Sequence, residues 1–302
     1  MSIKGIVVAA LLAISLTGQY SCTSELKGPA PTLAEAMEAE YQGIYDSPVR
    51  LTAGSYEGEP FTKDSAARPT LRLLGDLRVK GDLDGDGIDE SAVLLAENSG
   101  GSGAFTYVAV LERRGGGIRN IGTSPLGDRV QVRSLSISHG AISMEVIQHG
   151  SGDPMCCPTE KALKRWILEK GSLAELPPVV TGIVSIVDIE GVEWVLESLG
   201  PDQPYTGDPP VTIFFGNGKV SGSGGCNRYF AEITEIAPGV IKLGMIGSTR
   251  MACGDEITRV EDRFLEAVSG AAGYSFLAGR LALTCRVEDR IVTLIFKAGA
   301  PR

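Results

Sequence analysis

Between Gly81 and Glu90 the chain carries Asp82, Asp84, Asp86, Asp89 and Glu90 around Gly85 and Gly87. Aspartates at positions one, three and five with glycine at six are the arrangement that wraps Ca2+. Alternate side chains point inward, and the glycine permits a sharp reversal. Asp82, Asp84 and Asp86, with Glu90 at the ninth position, are the candidate ligands of a structural ion. Position twelve is Val93, so the bidentate glutamate of an EF-hand is absent, and Ser91 to Ala96 reads as a strand. Asp and Gly are also what a solvated hairpin turn demands. Both readings stand, because these carboxylates repel one another until a cation or water relieves them.

A second concentration is His149-Gly-Ser-Gly-Asp153-Pro-Met-Cys156-Cys157-Pro158-Thr159. A His, an Asp and two thiols suggest metal or thiol chemistry. Adjacent cysteines also form a vicinal disulfide, or each reaches elsewhere. The chain has two histidines, so a His-rich metal site cannot be assembled. With the acidic loop, this stretch defines one functional alternative, a hydrolase with its site near Asp82–Glu90 and His149–Cys157. No Ser-His-Asp order, paired-acid signature or metal quartet accompanies it. A third concentration is Val220-Ser-Gly-Ser-Gly-Gly-Cys226-Asn227-Arg228-Tyr229-Phe230, answered by Thr249-Arg-Met-Ala-Cys253. Its glycines require a sharp turn or a close approach before a strand resumes at Tyr229.

The elements that must position these residues follow from composition and pattern. A chain of 302 residues has room for two domains, and 43% apolar with 22% charged residues excludes wholesale disorder. A net charge of -9 argues against nucleic acid or an anionic bilayer as an electrostatic partner. Lys4 and the uncharged run Gly5 to Leu16 read as a signal peptide, too short to span a bilayer as a helix. Cys22 follows, placed like the lipidated cysteine of a bacterial lipoprotein, although only Ser21 fits the expected box before it. Release as a soluble periplasmic or secreted protein is the alternative. In an oxidising compartment cysteines tend to be bridged.

The pattern divides the chain into a signal peptide (1–22), a tether (23–32), a β-rich domain (33–170), a Gly- and Pro-marked linker (171–184) and a second domain (185–302). Thr32 and Glu35 predict a capping box, opening a helix through Leu33, Met37, Tyr41 and Tyr45. Strands are expected at Val49–Leu51, Thr70–Leu74, Leu77–Val79, Val130–Ile137, Ala141–Ile147 and Lys164–Glu169. Asn98 to Gly103 reads as a hairpin connection rather than a phosphate loop, since it lacks the Gly-Lys-Ser/Thr ending. In the second domain Asn217-Gly218 signals a hairpin. Asp255 to Gly270 predicts a helix, with Ile257, Val260, Phe264, Leu265 and Val268 on its buried face and Arg259, Glu261, Asp262 and Glu266 on a solvated one. Alternation over Leu281 to Val287 turns Cys285 into the core.

Gly224-Gly-Cys-Asn-Arg228 followed by Thr249-Arg-Met-Ala-Cys253 resembles the signature of the META domain, the family of the heat-shock protein HslJ, over residues 185 to 300. The acidic loop resembles the Asp-x-Asp-Gly-Asp-Gly loops of integrin-type and similar β-repeat proteins. Together with Asp153-Pro-Met-Cys-Cys-Pro-Thr159 it resembles a pair of motifs in exported bacterial proteins to which we attach no activity. The META resemblance implies an envelope protein with a role in binding, outer-membrane maintenance or stress resistance. Its partner would be an envelope protein or small ligand, and the membrane would be reached only through an N-terminal lipid. With Cys285 in the core, Cys226 and Cys253 remain as a natural pair joining the two signature segments, a crosslink worth roughly 3 kcal/mol. Asn227 and Arg228 read either as local structural groups or as a ligand-facing pair. The expected class is α+β: two domains dominated by antiparallel sheet, the second with one helix packed on it.

Overall fold

The computed structural model describes residues 27–60, 67–101, 103–200 and 203–299. The signal-like stretch, Cys22 and residues 23–26 lie outside them. Thr32 caps helix α1 (Leu33–Ala36): its hydroxyl accepts from Glu35 N, and Glu35 accepts from Thr32 N at 2.8 Å. This is the expected capping box, but the helix is a single turn. Tyr41, expected on the helix, lies instead in β1 (Glu40–Tyr41), paired with β2 (Val49–Arg50). Its ring is 1% exposed and its hydroxyl donates to Ala36 O at 2.8 Å. Folding that ring onto the sheet wins over continuing a helix whose intrinsic stability is marginal at this length.

Five antiparallel strands follow in spatial order: β3 (Ser55–Glu57), β4 (Thr70–Gly81), β5 (Glu90–Asn98), β6 (Phe105–Arg114) and β7 (Gly117–Asp128). The two strands expected at 70–79 are one, continued through a register shift between Leu74 and Val79. Ala92 to Leu95 are all buried, as a strand covered on both faces requires. Val93, Leu95 and Leu111 pack with Tyr41 and Leu51 of the N-terminal segment. Leu94, Val108 and Val110 pack on the other side against a second sheet.

That second sheet comprises β8 (Gln131–Ser138), β9 (Ala141–Gln148), β10 (Glu160–Glu169) and β11 (Ser172–Ile183), in the order β11-β10-β9-β8. Trp166 is buried between the sheets, where its indole N–H donates to Ser124 Oγ at 3.0 Å. Strand β11 fills the stretch expected as a linker. Lys170 and Gly171, at φ 50° and 79°, make a tight turn and send the chain back along β10. Pro177 and Pro178, which suggested a boundary, sit on an edge strand at a register shift, where a missing N–H is tolerated.

A 3-10 turn (Ile186–Asp188) leads into β12 (Glu193–Ser198), β13 (Thr212–Gly216), β14 (Lys219–Ser223), β15 (Arg228–Ala237), β16 (Val240–Leu243), β17 (Gly247–Ser248), α2 (Asp255–Ser269), β18 (Ala271–Leu277), β19 (Arg280–Val287) and β20 (Arg290–Ala298). The order β14-β13-β12-β20-β19-β18-β16-β15 closes on itself through β14–β15, and β17 adds to β15. The result is an eight-stranded antiparallel barrel. Its narrowest seam is β16–β18, with the single register pair Val240↔Gly273 and a Tyr274 N–H donated to Gly239 O at 2.9 Å. The chain is therefore mostly antiparallel β in several sheets, rather than α+β.

Helix α2 ends at Gly270 as expected. Its Phe264 ring lies edge-on to Tyr229 (centroids 5.5 Å) and Phe296 (6.4 Å) inside the barrel core. Cys285 is fully buried and unpaired. The barrel is docked on the second sheet: Gln131 Oε1 accepts from Phe276 N, Gly279 N donates to Val132 O, and Ile147 of β9 joins the barrel's core cluster.

Candidate functional site

The carboxylates of Asp82, Asp84 and Asp86 converge, with one oxygen of each within 4.8 Å of the others. Gly85 and Gly87 have φ 79° and 85°, which is what the reversal needs. Asp82 accepts from the N–H groups of both, at 2.7 and 2.9 Å. Glu90, expected as a further ligand, is turned into the sheet, where it is 1% exposed and accepts from Leu83 N at 2.9 Å. The cation beside Asp84, Asp86 and Glu90 is the ammonium of Lys27, at 2.5, 2.9 and 3.1 Å. Burial opposes the Lys27 charge, but hydrogen bonds to Asp84, Asp86 and Glu90 outweigh it and hold the ammonium above its ordinary range. Burial raises the Glu90 carboxyl; the Leu83 N–H and Lys27 limit the rise. The same lysine lowers Asp86.

Residues 27–32, expected as a tether, are laid along the sheet. The Lys27 backbone pairs with Arg114 in an isolated antiparallel β-bridge, Gly28 N donates to Arg113 O at 3.0 Å, and Arg113 Nε donates to Pro29 O at 3.1 Å. Pro31 O accepts from Arg78 Nε and from Ser91 Oγ.

The His149 loop lies elsewhere. Gly140, at the β8–β9 turn, approaches Leu83 of the acidic loop. From there β9 runs eight residues, about 25 Å, to His149. The two loops assigned to the hydrolase alternative are thus at opposite ends of a strand. Asp153 organises its own loop, accepting from Gly150 N, Thr159 N and Thr159 Oγ1 at 2.9, 2.6 and 2.8 Å, and these bonds lower its pKa. Cys156 and Cys157 lie at disulfide distance from each other on the surface. His149 Nε2 is enclosed without a hydrogen-bond partner among the described residues.

In the barrel, Cys226 and Cys253 lie at disulfide distance, Cα atoms 6.1 Å apart. Asn227 is 7% exposed and every polar atom of its amide is engaged. Its Oδ1 accepts from Met251 N (2.7 Å) and Thr249 Oγ1 (2.8 Å), and its Nδ2 donates to Glu261 Oε2 (2.8 Å). Glu261 Oε1 also accepts from Asn227 N at 2.6 Å. Glu261, expected on a solvated face, is 5% exposed. It belongs to the inward stripe because it lies four residues after Ile257 and three before Phe264. Gly224 permits this approach, since a Cβ there would fall 2.6 Å from Glu261 Oε1. Arg228, by contrast, is exposed on the outer wall, beside Phe214 and Phe230 over a depression of about 500 Å³.

Residues 187–297 match the model of the META domain. The barrel is a META domain. Two solved structures match part of the chain. One NMR structure is 27% identical, covers 38% of this chain and 94% of that chain, and has a TM-score of 0.32. Another, an NMR structure of a protein from Burkholderia xenovorans, is 23% identical, covers 38% and 86%, and has a TM-score of 0.31. No curated protein matches.

Away from the signature residues, the domain has a groove of about 690 Å³ on its outer wall, between strands β12, β18, β19 and β20 and the chain at 203–210. Val195, Leu277 and Ile295 form its apolar floor, and Tyr205 stands as a wall. Tyr205 is tied by its N–H to Glu197 O at 2.7 Å and by its hydroxyl to Pro209 O at 3.2 Å. Glu197 pairs with Arg280, and with Lys297 at 3.6 Å. Sequence reading passed over this groove, because its residues come from four strands and a loop with no shared motif. Lys27 was missed as well, as a lone lysine in a Pro-rich stretch.

Proposed function

We propose that this is an exported binding protein of the bacterial envelope, without catalytic chemistry of its own, in which the META barrel is a rigid platform. The groove under residues 203–210 is its ligand seat. The observation that carries this reading is the groove itself: an apolar floor and an aromatic wall beside Arg280 and Lys297, which share one carboxylate, Glu197. Such a lining suits a small molecule with an apolar body and an anionic group. Cys226, Asn227 and Thr249 of the signature, in contrast, are engaged in structure, and Arg228 alone of its Asn-Arg pair faces outward. The two cysteine pairs and the META domain are consistent with an extracytoplasmic protein. A lipid on Cys22 and a seat on the periplasmic face of the outer membrane belong to the same proposal.

Anilinonaphthalene sulfonate, an anionic aromatic probe, tests the groove. Saturable fluorescence enhancement on the folded protein, lost in Leu277→Glu and weakened in Lys297→Glu, is the expected result. Enhancement that both variants retain, or none in the unmodified protein, would remove the groove as the seat. Mass spectrometry of the exported protein's N-terminus reads the anchor directly.

A further inference from the structure

Each of the four carboxylates around Lys27 is divided in the same way. Asp84 Oδ1 accepts from Asp86 N, and Oδ2 faces Lys27. Asp86 Oδ1 accepts from Ile88 N, and Oδ2 faces Lys27. Glu90 Oε2 accepts from Leu83 N and Glu112 Oε1 lies at ion-pair distance, 3.3 Å, from Arg114 Nε, which leaves Glu90 Oε1 at 3.1 Å and Glu112 Oε2 at 3.7 Å from the same ammonium. One oxygen of each is turned to a neighbour of its own, a backbone N–H for Asp84, Asp86 and Glu90 and Arg114 for Glu112, and the other is aimed at one point. The Lys27 side chain that occupies this point is 7% exposed. Glu90 and Glu112 are also buried, so this is no solvated surface pair whose energy is lost to screening. An ammonium removed from this place would leave buried carboxylates uncompensated.

We propose that the acidic loop Gly81–Glu90 is a receptor for the chain's own Lys27, a clasp that fastens residues 27–32 to the sheet and fixes how the folded body continues from whatever precedes it. The spacing that resembles a Ca2+ loop is answered by an internal cation. The strap it holds is already complementary to the sheet, through Gly28 to Arg113, Pro29 to Arg113 and Pro31 to Arg78 and Ser91. Only residues 23–26 separate the clasp from Cys22, a covalent reach of at most about 18 Å.

Hydrogen exchange of the full chain tests the clasp. Lys27→Met keeps the length of the side chain and removes its charge. It is expected to speed exchange of the amides of residues 28–37 by roughly tenfold or more, while β19 and β20 stay protected. Lys80→Met, at an exposed pair with Asp89, leaves residues 28–37 unchanged. Should Lys27→Met fail to fold, Asp84→Asn with Asp86→Asn opens the clasp from its other side and predicts the same loosening. Millimolar Ca2+ leaves exchange in the unmodified protein as it was. Unchanged exchange in the clasp variants overturns the proposal. So does Ca2+ that releases residues 28–37, because the loop would then be an ion site that Lys27 merely fills.

Discussion

Asn227 and Glu261 form a buried polar joint in the barrel, and each is understandable only through the other. Replacing Asn227 with Ala leaves Glu261 buried without its amide partners and is expected to cost about 3 kcal/mol. That corresponds to a fall in melting temperature of about 6–12 °C, measured by calorimetry. Asn227→Asp sets a carboxylate against Glu261 and should cost more at neutral pH than in mild acid. Glu35 gives a second residue-scale expectation. The Arg113 guanidinium, with the Thr32 N–H and hydroxyl, holds its carboxyl at about 2 against an ordinary 4.5, although burial acts the other way. Its contribution is complete above pH 4.5 and is lost as pH falls toward 2. Amides of residues 32–37 should loosen across that window, and Arg113→Gln should weaken the pH dependence and shift it toward ordinary carboxylate titration, the Thr32 bonds remaining. Burial pushes the Cys285 thiol up to about 12, so alkylation there should track unfolding and not the pH of the native protein. Asn227 was legible as an unusual residue, since it follows a glycine turn. Its partner was hidden because a carboxylate on a helix is ordinarily counted to the solvent side, even when its spacing puts it among Phe264 and Val268.

Among the elements, those with local causes were readable from the sequence. The capping box at Thr32, the Asn217–Gly218 turn, the 255–269 helix and the last hairpin each depend on neighbours a few residues apart. The elements that differed depend on distant ones. Helix α1 stops after one turn because Tyr41 is buried under a sheet whose strands come later in the chain. Residues 172–183 form β11 because β10 offers an open edge, which outweighs the Pro-Pro and Gly-Ser composition of a linker. Barrel closure needs β12 beside β20, about a hundred residues apart in pairs such as Leu196↔Phe296, and no local pattern announces that. The Cys226–Cys253 link ties the turn before β15 to the approach to α2, across a separation of 27 residues. Cys226→Ala with Cys253→Ala is expected to lower stability by about 3 to 4 kcal/mol by loop closure alone. Denaturation with and without reductant checks this: the double variant should be insensitive to reductant at this joint.

At the scale of the molecule, the β-sandwich and the META barrel are fastened by more than a covalent thread. Asp188, 8% exposed in its side chain, receives Arg133 at 3.1 Å and Lys161 at 2.9 Å, and Arg133 lies 4.8 Å over the Phe276 ring. Arg133→Ala removes both the ion pair and the ring contact. It is expected to cost roughly 2–4 kcal/mol and to split one calorimetric transition into two, as the halves cease to melt together. A sequence cannot show such a junction, because its residues lie in segments that read as separate domains. The barrel also carries an unequal ring of bonds. Between β16 and β18 one register pair and the Tyr274-to-Gly239 bond complete a circuit that β19 and β20 close with seven pairs. Under mechanical load the wall would part along that line first, with β18, β19 and β20 peeling away as one flap while the signature joint between Asn227 and Glu261 stayed whole.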